Sequence, residues 1–151
     1  MIEWYKSDKL SIYFDTIPQV AVRSILPTFT KEEKQSVKKY PFICKNTLHV
    51  KISDNKNGCD YEFTIPKGYC YDGASIPRIF WRIIGSNTDN QFLIPALIHD
   101  VLCENHQYIN NNRHFSTEIF NALLEVSDVF CLKRFFMKYS VDSFQKLFCK
   151  W

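Results

Sequence analysis

His99, Asp100, Cys103 and His106 are the residues of this chain best suited by type and spacing to do chemistry. They fall in one stretch, Ile98-His99-Asp100-Val101-Leu102-Cys103-Glu104-Asn105-His106. On a helix turning about 100° per residue, His99, Cys103 and His106 lie within about 60° of one another, and Asp100 flanks them. Two imidazoles, a thiolate and a carboxylate so placed could ligate a divalent metal such as zinc, which takes nitrogen, sulfur and oxygen donors. A plainer reading keeps only His99 and Asp100. His106 then sits at a frayed helix end and Cys103 is a small buried hydrophobe. Ile94, Leu97, Ile98, Val101 and Leu102 gather on another side of the same helix and mark the core.

Asp72 has a different character, because it ends a strand-like stretch and opens the turn Asp72-Gly73-Ala74-Ser75. Such loop positions carry site residues on a rigid scaffold, although an Asx turn that fixes the entry to the next helix would need the same residue. Ser75 reads as a helix N-cap, since its surroundings lack the second glycine of a G-x-S-x-G nucleophile elbow. Arg78 could clamp a carboxylate or phosphate, or pair with Asp72 or Asp100. His114 lies beside the run Asn110-Asn111-Asn112 and reads as an exposed loop histidine.

Two functions fit these residues. In the first, Asp72, His99 and Asp100 share a cleft: His99 is general base toward a water, Asp72 orients the imidazole or binds a metal, and Asp100 is the second acid of a hydrolase. In the second, the same side chains, with Ser75, form a buried polar network that locks strands onto helices. Function then lies on a surface that grips another protein. Candidate binding residues are Ser75, Arg78, Trp81 and Tyr108, with Phe80, Phe135 and Trp151 as further aromatic contacts.

These residues need elements to position them. Leu10 to Phe14 and Val20 to Leu26 read as short strands, and Lys31 to Lys39 as a charged helix with Thr30 as N-cap and Glu33 completing a capping box. Thr47 to Ile52 and Tyr61 to Ile65 alternate polar and apolar around the turn Asp54-Asn55-Lys56-Asn57-Gly58, which predicts a hairpin. Pro66-Lys67-Gly68 then turns the chain into Tyr69-Cys70-Tyr71, a third meander strand that delivers Asp72. Helices are predicted from Arg78 to Ile84, from Asn90 or Pro95 to His106, from near Ser116, and from Leu132 to Phe148. Pro95 is tolerable in the second of these only within its first turn.

Composition limits the function classes. Nineteen Lys plus Arg against sixteen Asp plus Glu leave a net charge of +3, too small for the footprint of a dedicated nucleic-acid binder. The basic residues Lys133, Arg134, Lys138, Lys146 and Lys150 face only Asp142 near the C-terminus and read as a solvated helix face. Six cysteines without a C-x-x-C pair fit neither a zinc ribbon nor a thioredoxin motif, so reduced thiols in a cytoplasm are expected, the approach of Cys59 to Cys70 being open. The early acids of the N-terminus and the short longest apolar run, Phe92 to Ile98, predict neither a secretory signal nor a membrane span. With 24 aromatic residues in 151, some should line a groove or partner surface.

The stretch Ile65-Pro66-Lys67-Gly68-Tyr69-Cys70-Tyr71-Asp72-Gly73-Ala74-Ser75-Ile76-Pro77-Arg78, followed by Ala96-Leu97-Ile98-His99-Asp100, resembles the signature of a phage- and prophage-associated family, domain-of-unknown-function family 1353. That signature runs "P-x-G-[FY]-x-x-D-x-A-S-[IV]-P-R", then "A-x-x-H-D-x-x-Y" and "R-x-x-A-D-x-x-F". The likeness covers residues 61 to 148 as a family-like core, with N-terminal strands over 1 to 60 outside it and the whole of 1 to 151 one domain. Two positions depart from the pattern: Cys103 stands where the family carries tyrosine, and Thr117 where it carries aspartate. The resemblance implies a phage or bacterial-host setting and an altered or inactive site if those two residues act in catalysis; it implies no reaction. The expected fold is α+β, a small antiparallel β-meander followed by a bundle of about four helices.

Overall fold

The computed structural model describes residues 1–73, 90–148 and 151. The fold is α+β. Among the described residues seven strands, β1 (Ile2–Lys6), β2 (Leu10–Phe14), β3 (Val20–Val22), β4 (Phe42–Cys44), β5 (Leu48–Asp54), β6 (Cys59–Ile65) and β7 (Cys70–Tyr71), precede the main helices. Helix α1 (Lys31–Lys39) lies between β3 and β4, and α2 (Asn90–Glu104), α3 (Arg113–Val126) and α4 (Cys131–Phe148) follow the sheets. A 3-10 turn over His106–Ile109 separates α2 from α3. Among the described residues no helix is long and apolar enough to cross a membrane.

The strands form two antiparallel sheets, ordered β1-β2-β5-β6 and β3-β4-β7. In the larger, alternation decides the faces: Leu10, Ile12 and Phe14 of β2, Leu48, Val50 and Ile52 of β5, and Phe63 and Ile65 of β6 are all buried. The β5-β6 hairpin runs in register from Leu48 opposite Ile65 to Asp54 opposite Cys59. Its turn is held by Asp54, whose Oδ1 accepts the N–H groups of Lys56 at 3.1 Å and Asn57 at 3.2 Å. The capping box of α1 forms as its sequence predicts, Thr30 Oγ1 accepting the Glu33 N–H and Glu33 Oε2 the Thr30 N–H.

Several expectations are corrected. β7 is not a third strand of the hairpin's meander; it pairs with β4 in the smaller sheet. The Pro66-Lys67-Gly68 turn accounts for this, since Gly68 takes φ +91°, donates to the Cys44 carbonyl at 2.8 Å, and lets Tyr69 accept from Cys44 at 2.9 Å. β3 ends at Val22, short of Leu26, and β1 closes a sheet edge that the sequence pattern does not announce. Helix α3 starts at Arg113, because Asn112 caps it by accepting the Phe115 N–H at 3.0 Å. His114 therefore sits in a helix turn, exposed as expected.

Pro95 lies inside α2 rather than in its first turn. The one backbone hydrogen bond it removes is set against burial of Phe92, Leu93, Ala96, Leu97 and Ile98 around it. Helix α2 is buried on nearly every side, His99 included, as expected of a central helix covered by other elements.

Candidate functional site

Three contacts bring Asp72 to α2. Tyr71 is 1% exposed, tilts against Phe42 with ring centroids 5.5 Å apart, and donates its hydroxyl to the Leu93 carbonyl at 2.9 Å. Gly73 follows at φ +89°, a conformation that disfavours any residue with a Cβ. Its α-carbon also lies so close to Phe42 that a Cβ would come within 2.5 Å of the ring. The close approach lets the Gly73 N–H donate to Asp100 Oδ2 at 3.1 Å.

Asp100 is hydrogen-bonded to Asp72, so two carboxyl groups meet at one point. Burial first, then the Asp72 hydrogen bond and charge, push the Asp100 pKa well above the usual carboxylate range, against the lowering effect of the Gly73 N–H. Burial therefore favours the protonated form of Asp100, and Asp72 is the exposed member of the pair.

His99 sits beside them, with Nδ1 3.6 Å from Asp100 Oδ1. Burial lowers its pKa to about 4, so the ring is neutral near pH 7. Its Nε2 is hydrogen-bonded to the side-chain amide of Gln145, and its ring packs on Phe120 at 5.2 Å between centroids. An amide donating to Nε2 leaves the ring proton on Nδ1, the nitrogen nearer Asp100.

Gln145 is wholly buried and ties three helices together. Its Nε2 also reaches Cys103 Sγ at 3.4 Å and Ser116 Oγ at 3.3 Å, and its Oε1 accepts from Thr117 Oγ1 at 3.2 Å. Asp142 Oδ1, 3.4 Å from the same Thr117 hydroxyl, competes with Gln145 for its one proton, and Asp142 forms an ion pair with Arg113. Cys103 Sγ lies 3.5 Å from His99 Nε2. A cavity of about 220 Å³ opens beside this cluster, lined by Asp72, His99, Asp100, Cys103 and Glu104, with Lys39, Tyr40 and Phe144 completing the wall. Glu104 accepts the Tyr69 hydroxyl at 2.6 Å.

A family model described as "Protein of unknown function (DUF1353)" matches residues 47–141. The chain belongs to the DUF1353 family. The match takes in the β5-β6 hairpin, β7, Asp72 and the whole of α2 and α3, so the carboxyl pair and His99 belong to the DUF1353 part of the chain. The chain is also similar to the "Uncharacterized protein y4jT" of Sinorhizobium fredii, at 38% identity over 61 residues, which is 40% of this chain and 18% of that protein. It thus spans less than a fifth of that relative's length. No solved structure matches the chain.

The structure brings together Asp72, His99, Asp100 and Cys103 of the residues singled out from sequence, and it does not bring His106 to them. Helix α2 ends at Glu104, so the helical spacing that would have aligned His106 stops two residues short. His106 instead bonds Asn111 Oδ1 through Nδ1 and faces Trp151 at 5.8 Å between ring centroids. Among the described residues no three His, Cys, Asp or Glu side chains converge as a metal's ligand set. Tyr108 is half-buried and stacks on Phe63 at 5.1 Å, and Trp151 packs against the core, whereas Phe135 is 64% exposed. Ser75, Arg78, Phe80, Trp81 and the helix expected from Arg78 to Ile84 lie outside the described residues. None of the five described cysteines is in a disulfide.

The residue that sequence reasoning missed is Gln145. A signal for it existed, because Met137, Val141 and Gln145 recur every four residues on the buried face of α4. A glutamine on an apolar stripe must find partners inside.

Proposed function

We propose that this DUF1353 member is a phage- or prophage-encoded accessory protein, working in the cytoplasm of a bacterial host, that acts by binding another protein. In this reading Asp72, His99 and Asp100 hold the fold. The observation that carries it is the saturation of the cluster by the protein itself. His99 is 8% exposed and engaged by Gln145, Cys103 and Phe120, and Asp100 is engaged by Gly73 and Asp72. A buried network so fully partnered specifies one packing of helices and sheet. The phage setting rests on the motif resemblance, and a virion, lysis, host or defence component is the class of partner.

The test is the stability of His99→Ala. Removing the ring opens a cavity against Phe120 and strands the Gln145 amide, so a loss of about 2–5 kcal/mol is expected in urea unfolding. Stability within about 0.5 kcal/mol of wild type would refute the structural role.

One observation favours a second reading, hydrolysis at the same cavity. A buried carboxyl whose protonated form is favoured, beside a neutral imidazole, offers a general acid and a general base, and Asp72 is exposed where a substrate could meet it. A metal-dependent form of this reading would need ligands beyond His99, Asp100 and Cys103, since among the described residues no three such side chains converge on one point. Elemental analysis of the purified protein, with thermal melts in the presence and absence of chelator, separates the readings. Stoichiometric metal with a chelator-sensitive melt supports hydrolysis, and an absence of both removes its metal-dependent form.

A further inference from the structure

Helix α4 turns Met137, Ser140, Val141 and Gln145 to the core. At about 100° per residue, Leu132, Phe135 and Tyr139 project on the opposite side. They are 53%, 64% and 70% exposed, and Phe130, just before the helix, is 66% exposed. Singly exposed apolar residues are ordinary, but a run of them on one face marks a site of contact. Two exposed lysines belong to this face, Lys138 at its border and Lys146 within the stripe, while Lys133 falls on the core-facing side and is only half-exposed. The other charges of the helix are engaged, Arg134 with Glu125 at 2.8 Å and Asp142 with Arg113. Among the described residues none of the three lysines is in an ion pair. A notch of about 310 Å³ lies between α3 and α4, lined by buried Thr117, by Phe135, Lys138, Tyr139 and His114, and by Glu118 and Asp142, whose carboxylates are paired with Lys56 and Arg113.

We propose that this face docks a protein helix that is apolar along one side and acidic on its flanks. The proposal rests on the binding reading above and names the partner's chemistry. Charge and shape select this occupant. A second copy of the chain would set two faces carrying Lys138 and Lys146 against each other, which like charge opposes. A lipid surface is flat and leaves the notch unfilled, whereas a side chain from a partner helix fills it as a knob fills a hole. Phe135 and Tyr139 are then the anchors, and the lysines pair with the acidic flanks.

The test titrates two synthetic amphipathic peptides into the full-length chain and follows fluorescence anisotropy. The peptides share a leucine stripe, and one carries glutamate flanks where the other carries lysine. Saturable binding of the glutamate peptide is expected, weakened about tenfold or more by Phe135→Ser with Tyr139→Ser and weakened by Lys138→Glu, with unfolding unchanged by either variant. The lysine peptide should not bind. Equal binding of both peptides, binding of neither, or full affinity in the Phe135→Ser/Tyr139→Ser variant would overturn the proposal. So would capture by phosphatidylglycerol vesicles, or a dimer in sedimentation that the same substitutions dissolve, in place of peptide binding. The His99→Ala melt needs no peptide, so failure here with a strong destabilisation there removes this partner and leaves the structural role of the cluster intact.

Discussion

Replacing Asp100 by asparagine should make the stability of this protein depend on pH in a way that exposes the state of His99. The imidazole titrates at 6.5 when unperturbed and at about 4 in the folded chain. Between these values the unfolded chain binds a proton that the folded chain refuses, so stability rises with pH across that window and is lost on acidification. That interval, at about 1.36 kcal/mol per pH unit, makes the effect roughly 3 kcal/mol. Asp100 acts with the opposite sign. Its folded pKa is raised, so the folded chain keeps a proton that the unfolded chain releases near pH 3.9, and stability falls as pH rises from there toward the folded value. The two effects oppose each other between pH 4 and 6.5 and flatten the wild-type profile. An asparagine side chain is neutral at every pH, and in this place it can accept the Gly73 N–H and donate to Asp72 as the protonated acid does. Urea unfolding at steps from pH 4.5 to 7.5 should therefore show the Asp100→Asn variant losing stability on acidification more steeply than wild type, and equalling or exceeding it above neutrality. The double variant His99→Gln/Asp100→Asn should be flat again. Parallel profiles for Asp100→Asn and wild type would refute the reasoning, and a double variant as steep as the single one would show that His99 is not the group.

Two further substitutions probe how the cluster is held. Gly73→Ala meets both a left-handed backbone, about 1–2 kcal/mol, and the Phe42 ring, about 1–3 kcal/mol, so thermal and urea unfolding should report a loss of about 2–5 kcal/mol. Gly58→Ala is the control, since it shares positive φ but meets open space, and only about 1 kcal/mol is expected there; equal losses at the two glycines would contradict the Phe42 contact. Gln145→Leu keeps the volume while leaving His99 Nε2, Ser116 and Thr117 short of a partner, for an expected loss of about 2–4 kcal/mol in urea unfolding. A stability-neutral Gln145→Leu would mean that the network linking α2, α3 and α4 is not a source of stability.

What the sequence discloses here follows the range of the interactions involved. The β5-β6 hairpin and the α1 capping box are legible because Asp54, Gly58, Thr30 and Glu33 act on neighbours within a few residues. The pairing of β7 with β4 is not legible, because it joins Phe42 to Tyr71 and Ile43 to Cys70 across the hairpin between them. Pro95 misleads for a related reason: its local cost is plain, but the burial that outweighs it comes from the sheets and the other helices packed around α2.

The candidate site divides in the same way. His99, Asp100 and Cys103 could be grouped from sequence because one helix carries all three, and periodicity is a local property. His106 fell into that group only by extending the helix past Glu104, and the error arises from the helix end, the least local-looking feature of a periodic pattern. Asp72 reaches Asp100 through the β4-β7 register, the Tyr71 hydroxyl on Leu93, and a Gly73 backbone that passes Phe42 at a distance only glycine permits. None of those three is a spacing, yet together they decide which carboxylate meets which. Gln145 completes the argument from the other end of the chain. It reaches His99 from 46 positions away, and its donation to Nε2 turns the ring proton toward Asp100. The protonation pattern of the cluster is therefore a tertiary property, set by α4 and the small sheet acting on α2 from its two sides. That is why a change in pH, rather than a change in sequence pattern, is the sharpest probe of whether the cluster is built as described.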